Sequence, residues 1–500
     1  MYQRGLAPDA TYQFKHALVR DAAYESLLKS KRQQVHARLV EALEATDTAA
    51  PELLAQHATA AGMNEQAIEY WLQAGIHAAE RSAHREAIGH FDRGLTVLGS
   101  LPASTHRDEQ ELRLQIGLCN SLNTASGWGS GETVKANARA RELCESLGET
   151  DALLHVLRQE RIIRWVRADH RAALATANQM IGLADQQDVH HDSAVYRFGD
   201  VGAGHYLSLW PTLAMGDIKT VRNVANKVLD WYDKDQHGDY RFHYGIDLRA
   251  ATLSIRAYER WLSGYPDQAS NANTQAIAYA RELDHASSLT WALTWAGAQP
   301  AVMRRDAGAS EVFADELMRL QCSPLDQAWA RICAGWAIGK CGQRDTGISM
   351  LREGLDYPGT EQGKVFRSLH LALLAELYLD GEQFDLAAQT LGEARAHIAR
   401  SEERFWEAEI FRLTGELNSL QRSELTEAAD ICFRQAIAVA GKLGATSLEL
   451  RAALSFARYW KQKGKTSEAR GLLEPIYNWF TEGFDTPDLI DAKALLQELR

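Results

Sequence analysis

The stretch Ala453-Leu-Ser-Phe456-Ala457-Arg-Tyr-Trp460-Lys-Gln-Lys-Gly464-Lys-Thr-Ser-Glu-Ala469-Arg-Gly-Leu-Leu473-Glu-Pro-Ile476 decides the fold. Ala453, Phe456, Ala457 and Trp460 recur at i, i+3, i+4 and i+7, one face of an α-helix. Gly464 ends that helix, and Ala469, Leu473 and Ile476 mark a second at i, i+4 and i+7. Two helices joined by so short a turn pack closely only where one side chain is nearly absent, and larger residues one turn away fill the groove. The same figure stands upstream. Leu371, Leu374, Ala375 and Tyr378 precede Gly381, then Ala387, Leu391 and Ala394 follow. Near the start, Trp71, Ala74, Gly75 and Ala78 precede Ala87, Phe91 and Gly94.

Composition permits helix almost throughout. Only 10 of 500 residues are proline, roughly 2% against an average near 5%, so few positions interrupt the backbone ladder. The formal charge is −12, without the basic stripe of a nucleic-acid binder, and no apolar run is long enough to span a membrane. No nucleic-acid or membrane partner is therefore expected. The N-terminus lacks the apolar core of a secretory signal. The six cysteines include no C-x-x-C pair and read as reduced, packed thiols in a cytoplasmic protein.

The paired signatures resemble the tetratricopeptide repeat, with its W-x-x-L-G-x-x-Y then A-x-x-x-F-x-x-A spacing. The small residues of the second helices are read as Ala87, Ala136, Ala173, Val221, Ala269, Ala309, Gly347, Ala387, Ala429 and Ala469. Their mean interval of about 42 residues exceeds the usual 34 or so, and armadillo or HEAT repeats share that length. The expectation is an all-α, tetratricopeptide-like solenoid of about ten helix pairs in a right-handed superhelix. Residues 1–50 stand apart. Tyr12 to Leu28 reads as one amphipathic helix, Lys29-Ser-Lys-Arg32 as a corner, Val35 to Leu43 as another helix and Thr46 to Pro51 as a linker. The expected division is a junction at 1–50 and a solenoid at 51–500.

Phe14-Lys-His16-Ala-Leu-Val-Arg-Asp-Ala-Ala-Tyr24 resembles the junction segment of bacterial STAND-type signalling ATPases, many of them adenylate or guanylate cyclase-like. Arg139 to Cys144, Leu262 to Ala269, Leu371 to Glu376, Ala428 to Phe433, Leu448 to Ser455 and Trp479 to Asp488 look like their long C-terminal arm. The resemblance implies a chain that begins at the junction, without the cyclase and P-loop domains. It also implies a regulatory role toward an ATPase or cyclase partner, and for His16 a place near a nucleotide module.

Motifs for chemistry are sparse. Gly464-Lys465-Thr466 lacks the glycine a phosphate loop needs at 459, which is Tyr, and reads as a helix-pair turn. Gly127-Trp-Gly-Ser-Gly131 reads as an inter-repeat loop, and His190-His191 as loop histidines. No H-E-x-x-H or Gly-x-Ser-x-Gly is present, so no catalytic residue, metal ligand or cofactor is expected. Arg158, Arg161, Arg164 and Arg167 drift by about 60° per step around a helix. They read as a solvated face pairing with Glu160 and Asp169, with Arg161 and Arg164 retained as candidates for an acidic partner. An aromatic excess over residues 195–265 suits either a wide helix-pair core or a concave ligand site. If a sensor pocket lies there, Asp200, His205, Trp210, His237, Tyr240 and Tyr244 are its candidates, for a protein segment or a small-molecule effector. The reading is a non-catalytic regulatory, sensor and protein-interaction arm. A stand-alone scaffold is the alternative and an unrecognised enzyme the third reading.

Overall fold

The computed structural model describes residues 2–4, 11–13, 17–46, 49–127, 129–186, 201–320, 322–356, 364–421 and 426–500. The chain divides into two compact units, Met1–Val156 and Leu157–Arg500. Both are built from helices folded back on their neighbours in sequence, as the repeat signatures require. Asn64–Glu80 packs on His84–Leu98, Leu248–Leu262 on Pro266–Glu282, Arg367–Asp380 on Phe384–Ser401, and Thr446–Gln462 on Thr466–Trp479.

The small-residue anchors share one position, except Ala136, which is buried but sixth in Gly131–Leu147. Ala87, Ala173, Val221, Ala269, Gly347, Ala387, Ala429 and Ala469 are each the fourth residue of their helix, and the alanines and Val221 among them are fully buried. Ala309 is corrected to Ser310: Ala309 is half-exposed, while Ser310, fourth in Ala307–Arg319, is fully buried. A serine is tolerated there because its hydroxyl donates to the Cys333 carbonyl at 3.2 Å, which offsets the cost of burying it. The tightest crossing replaces alanine by glycine on both helices. A Cβ on Gly335 would lie 2.7 Å from the Gly347 carbonyl oxygen, so neither position accepts a side chain.

The turns share a device as well. A residue with positive φ stands two places before the next helix at Ser82, Ala168, Gly216, Gly264, Arg305, Gly342, Glu382 and Gly464. Gly464 is thus one of a series of turn residues, with φ of 75° between Thr446–Gln462 and Thr466–Trp479, and no strand leads into it.

The N-terminal segment departs from the expected helices. Tyr2–Arg4 and Thr11–Gln13 pair as a short antiparallel hairpin, with Tyr12 opposite Gln3, in keeping with the strand preference of Thr and Tyr. The first helix is Ala17–Glu25 and the second Lys29–Glu44. The corner therefore lies at 26–28, and Lys29 to Arg32 form the first helical turn. His16 lies outside the described residues.

Unit 1 packs between neighbours. Phe91 inserts between Gly75 and Gly117, where a Cβ on Gly117 would sit 2.6 Å from its ring. Unit 2 closes on itself. The Val166 carbonyl, at the end of one helix, accepts from the Lys364 N–H at 3.1 Å, and that of Ala214 from Arg404 at 2.7 Å. The Trp261 carbonyl accepts from the Ser447 hydroxyl at 2.5 Å and that of Met303 from Arg451 at 2.8 Å. Helix ends leave carbonyls without intrahelical partners. Here hairpins well over a hundred residues downstream satisfy them, one after another in chain order.

Candidate functional site

Arg158, Arg161 and Trp165 lie at i, i+3 and i+7 of Thr150–Val166, one face of that helix, and all three are buried. The solvated-face reading therefore fails for Arg158 and Arg161, while Arg164 and Arg167 are partly exposed. Arg164 pairs with Glu160 and donates to the Ala172 carbonyl at 3.2 Å. Asp169 accepts the Ala172 N–H at 3.3 Å, capping the next helix.

Arg161 is 3% exposed. Its Nε donates to the Leu207 carbonyl at 2.7 Å, and its guanidinium lies 5.5 Å above the Trp165 ring. Burial pulls its pKa down to about 10, opposed only by the Tyr206 side chain, so it keeps its charge at neutral pH. Trp165 in turn meets Trp210, Trp291 and Trp295 at ring-centroid distances of 6.1, 6.1 and 5.9 Å. Trp210 and Trp295 are 4.9 Å apart and fully buried. Tyr258 and Phe366 close the cluster against Trp210, at 5.6 and 5.8 Å. Trp291 alone of the four indoles is partly exposed. A π-helical turn, Leu293–Ala298, carries Trp295 inward, the kind of local bulge that often marks functional positions.

The other candidates fall in a neighbouring stack. His237 lies 4.1 Å from Trp231 and accepts the Asp233 N–H at 2.9 Å. Tyr240 sits between His237 and Tyr244, at 5.4 and 6.0 Å, and Arg158 lies 5.7 Å over the Tyr244 ring. His205 is half-buried, its pKa lowered by burial and by Lys227. Asp200, like His190 and His191, lies outside the described residues. The structure thus links Arg161 to Trp210 through Trp165 and places His237, Tyr240 and Tyr244 together. It leaves Arg164 and His205 in neither group. Trp291 and Trp295 escaped the sequence reading, although their i, i+4 spacing was a usable signal.

A second buried cluster was also missed. Glu403, fully buried, accepts the Phe366 N–H at 2.6 Å, the Ser368 N–H at 2.8 Å and the Ser368 hydroxyl at 2.6 Å. His170 and His397 approach it at 3.3 and 3.6 Å. Burial pushes its pKa up, but the two histidines outweigh that and hold it below the usual carboxylate range. Next to it His370, bonded to Gln299 at 2.8 Å, is pulled down to about 3 by burial. Arg171 and Glu402 pair beside the same junction. These groups join residues more than 200 positions apart and act as a clasp within unit 2. Among the described residues, no group of three His, Cys, Asp or Glu side chains is placed to hold a metal. No helix among them is long and apolar enough to cross a membrane.

No family model matches the chain. A Rhizobium meliloti (strain 1021) protein described as uncharacterized is 24% identical over 467 residues, covering 88% of this chain. The chain spans less than half, 43%, of that relative's length. Among solved structures, the APC/C hetero-tetramer Cut9-Hcn1 aligns over 97% of this chain and 94% of its own, at 11% identity and TM-score 0.43. A Rap protein complexed with competence and sporulation factor aligns over 87% and 99%, at 10% identity and TM-score 0.39. Yeast Tom70 aligns over 87% and 96%, at 11% identity and TM-score 0.34. The chain itself is an all-α, tetratricopeptide-like solenoid, the class its anchors predicted.

Proposed function

We propose that the chain is a non-catalytic regulatory and protein-interaction arm, serving a bacterial signalling ATPase or nucleotide cyclase system. Residues 1–50 are the junction toward that module and the hairpins from 51 onward are the arm. The observation that carries this reading is the run of stacked hairpins with one anchor position repeated from Ala87 to Ala469. Such a chain presents surface and transmits strain between neighbours rather than assembling a reactive centre. Two further observations support it: the family-like segment at Phe14 to Tyr24, and a bacterial relative in which the matched region is a minority of the length.

The packing favours one form of the mechanism. Around Trp210 the aromatic rings of unit 2 pack against one another and are largely enclosed, which suits a small molecule better than a protein segment. A small effector that changes how these rings pack would shift the contacts between distant hairpins, and the nucleotide module would respond. The test is a tagged pull-down from the source cells with mass spectrometry, followed by nucleotide-turnover assays on what is recovered. Recovery of an ATPase or cyclase subunit whose rate depends on this chain is the expected result. Recovery of unrelated proteins alone would replace this reading with that of a stand-alone scaffold.

A further inference from the structure

Arg161 poses a problem that the fold does not solve. A guanidinium that is 97% buried, as the 3% exposure implies, carries a large desolvation cost unless a counter-charge compensates it. Two other buried arginines of unit 2, Arg412 and Arg451, obey that rule. Arg412 is held by Glu409 and Glu416, and Arg451 by Asp488. Among the described residues Arg161 has one carbonyl, one indole face and the Tyr206 side chain beside it, and no carboxylate pairs with it. Its Nη2 is without a hydrogen-bond partner among the described residues. In the ring cluster that Trp165 joins, the indole N–H groups of Trp165, Trp291 and Trp295 and the Tyr258 hydroxyl are likewise unpartnered among the described residues. Buried donors are nearly always satisfied, so a charged donor and several neutral ones left over in one cluster constitute a pattern. Every one of these groups can donate, and none of them is an anion.

We propose that this cluster is an oxyanion site, in which Arg161 and the surrounding indoles receive the carboxylate or phosphate group of a small molecule. Guanidinium geometry suits both groups. The indole faces would hold an apolar or planar body attached to the oxyanion. The enclosure argues for a small ligand over a folded partner, since Trp165, Trp210 and Trp295 are buried and only Trp291 reaches solvent. The inference deepens the regulatory reading above by naming the class of effector, and rests on it for that role.

The test uses the full chain. Inorganic phosphate and benzoate are titrated separately at constant ionic strength, with tryptophan emission and melting temperature as readouts. A saturable change in emission, with a rise in melting temperature, is expected for at least one of them. Response to phosphate points to a phosphate-bearing effector, and response to benzoate to a carboxylate. Arg161→Met should abolish the response. Without ligand it should melt at or above the unsubstituted protein, because it removes an uncompensated charge. The site is overturned if neither anion gives a saturable change, if Arg161→Met retains it, or if that variant melts far lower because the charge is already satisfied. Loss of the anion response together with capture of an ATPase would remove the site and leave the regulatory reading standing. A saturable response without any captured partner would do the reverse.

Discussion

Unit 1 and unit 2 use the same hairpin and the same anchor residue, yet they are stabilised differently. In unit 1 the side-chain hydrogen bonds link neighbours, as Arg113 to Glu69 and Asn64 to Ser100. That is the nearly one-dimensional behaviour expected of repeats. In unit 2, His170 meets Glu403, Ala214 meets Arg404, and Gln268 meets Glu482. Residues some 200 positions apart therefore hold one another, and a local loss anywhere along the closure is felt by its distant partner. One repeat chemistry thus yields a stack tied neighbour to neighbour in one place and a body tied across the sequence in another. The difference comes from polar contacts between hairpins remote in sequence.

The comparison breaks first at Glu403. Glu403→Ala strands the Phe366 and Ser368 N–H groups and leaves two histidines facing an apolar gap, a loss of about 3–5 kcal/mol. Hydrogen exchange should show protection falling together in 170–186 and 366–405 and unchanged in unit 1. A loss confined to the later segment would mean the clasp is not cooperative.

Acid should separate the units next. An unfolded histidine takes a proton as the pH falls through about 6.5, whereas buried His370 stays neutral to about 3. The unfolded state therefore binds more protons between those limits, and stability falls with pH by up to about 1.4 kcal/mol per unit. Glu403, depressed, acts in the same direction at lower pH: its contribution is complete above the ordinary carboxylate pKa and is lost below it. His370→Gln should flatten the urea midpoint of unit 2 between pH 6.5 and 5, roughly the window where only histidines titrate. An unchanged slope would assign it to another group.

Overpacking sharpens the shared part of the comparison. Ala387 is fully buried at its anchor, and Ala387→Phe should cost about 1–3 kcal/mol, read as a lower urea midpoint. Ala87→Phe in unit 1 should cost a similar amount while disturbing only adjacent hairpins. The smallest effect is expected for Arg113 and Glu69, whose side chains are 53% and 39% exposed. A double-mutant cycle on that pair should return about 0.2–1 kcal/mol. A larger coupling would mean that unit 1 is less divisible than its contacts imply.

The hairpins were legible because a small residue in a crossing leaves a local mark that recurs: Ala387 and Ala469 stand where their spacing put them. Ser310 was missed by one place because a serine looks unsuited to a core until its acceptor, the Cys333 carbonyl, is seen. Tyr12 was read into a helix because its strand partner, Gln3, is a neighbour only in space. Of the candidate site, Trp210 was found from aromatic density alone. Arg161 was noticed for its charge, but counting arginines at every third residue hid the i, i+3, i+7 face it shares with Arg158 and Trp165. Glu403 carried no signal at all. Its meaning depends on His170, His397 and the backbone at Phe366, and no periodicity in the sequence encodes a contact across 233 positions.

The clasp between His170 and Glu403 also sets a schedule. At roughly 5–20 residues per second, a ribosome reaches Glu403 about 12–47 s after His170. For most of that interval Trp165 and Trp210 have been synthesised, while Phe366 and the later hairpins that cover them have not. The nascent chain therefore carries an uncovered patch of indole rings for much of its translation, and its yield in a cell depends on what shields that patch until residue 403 emerges.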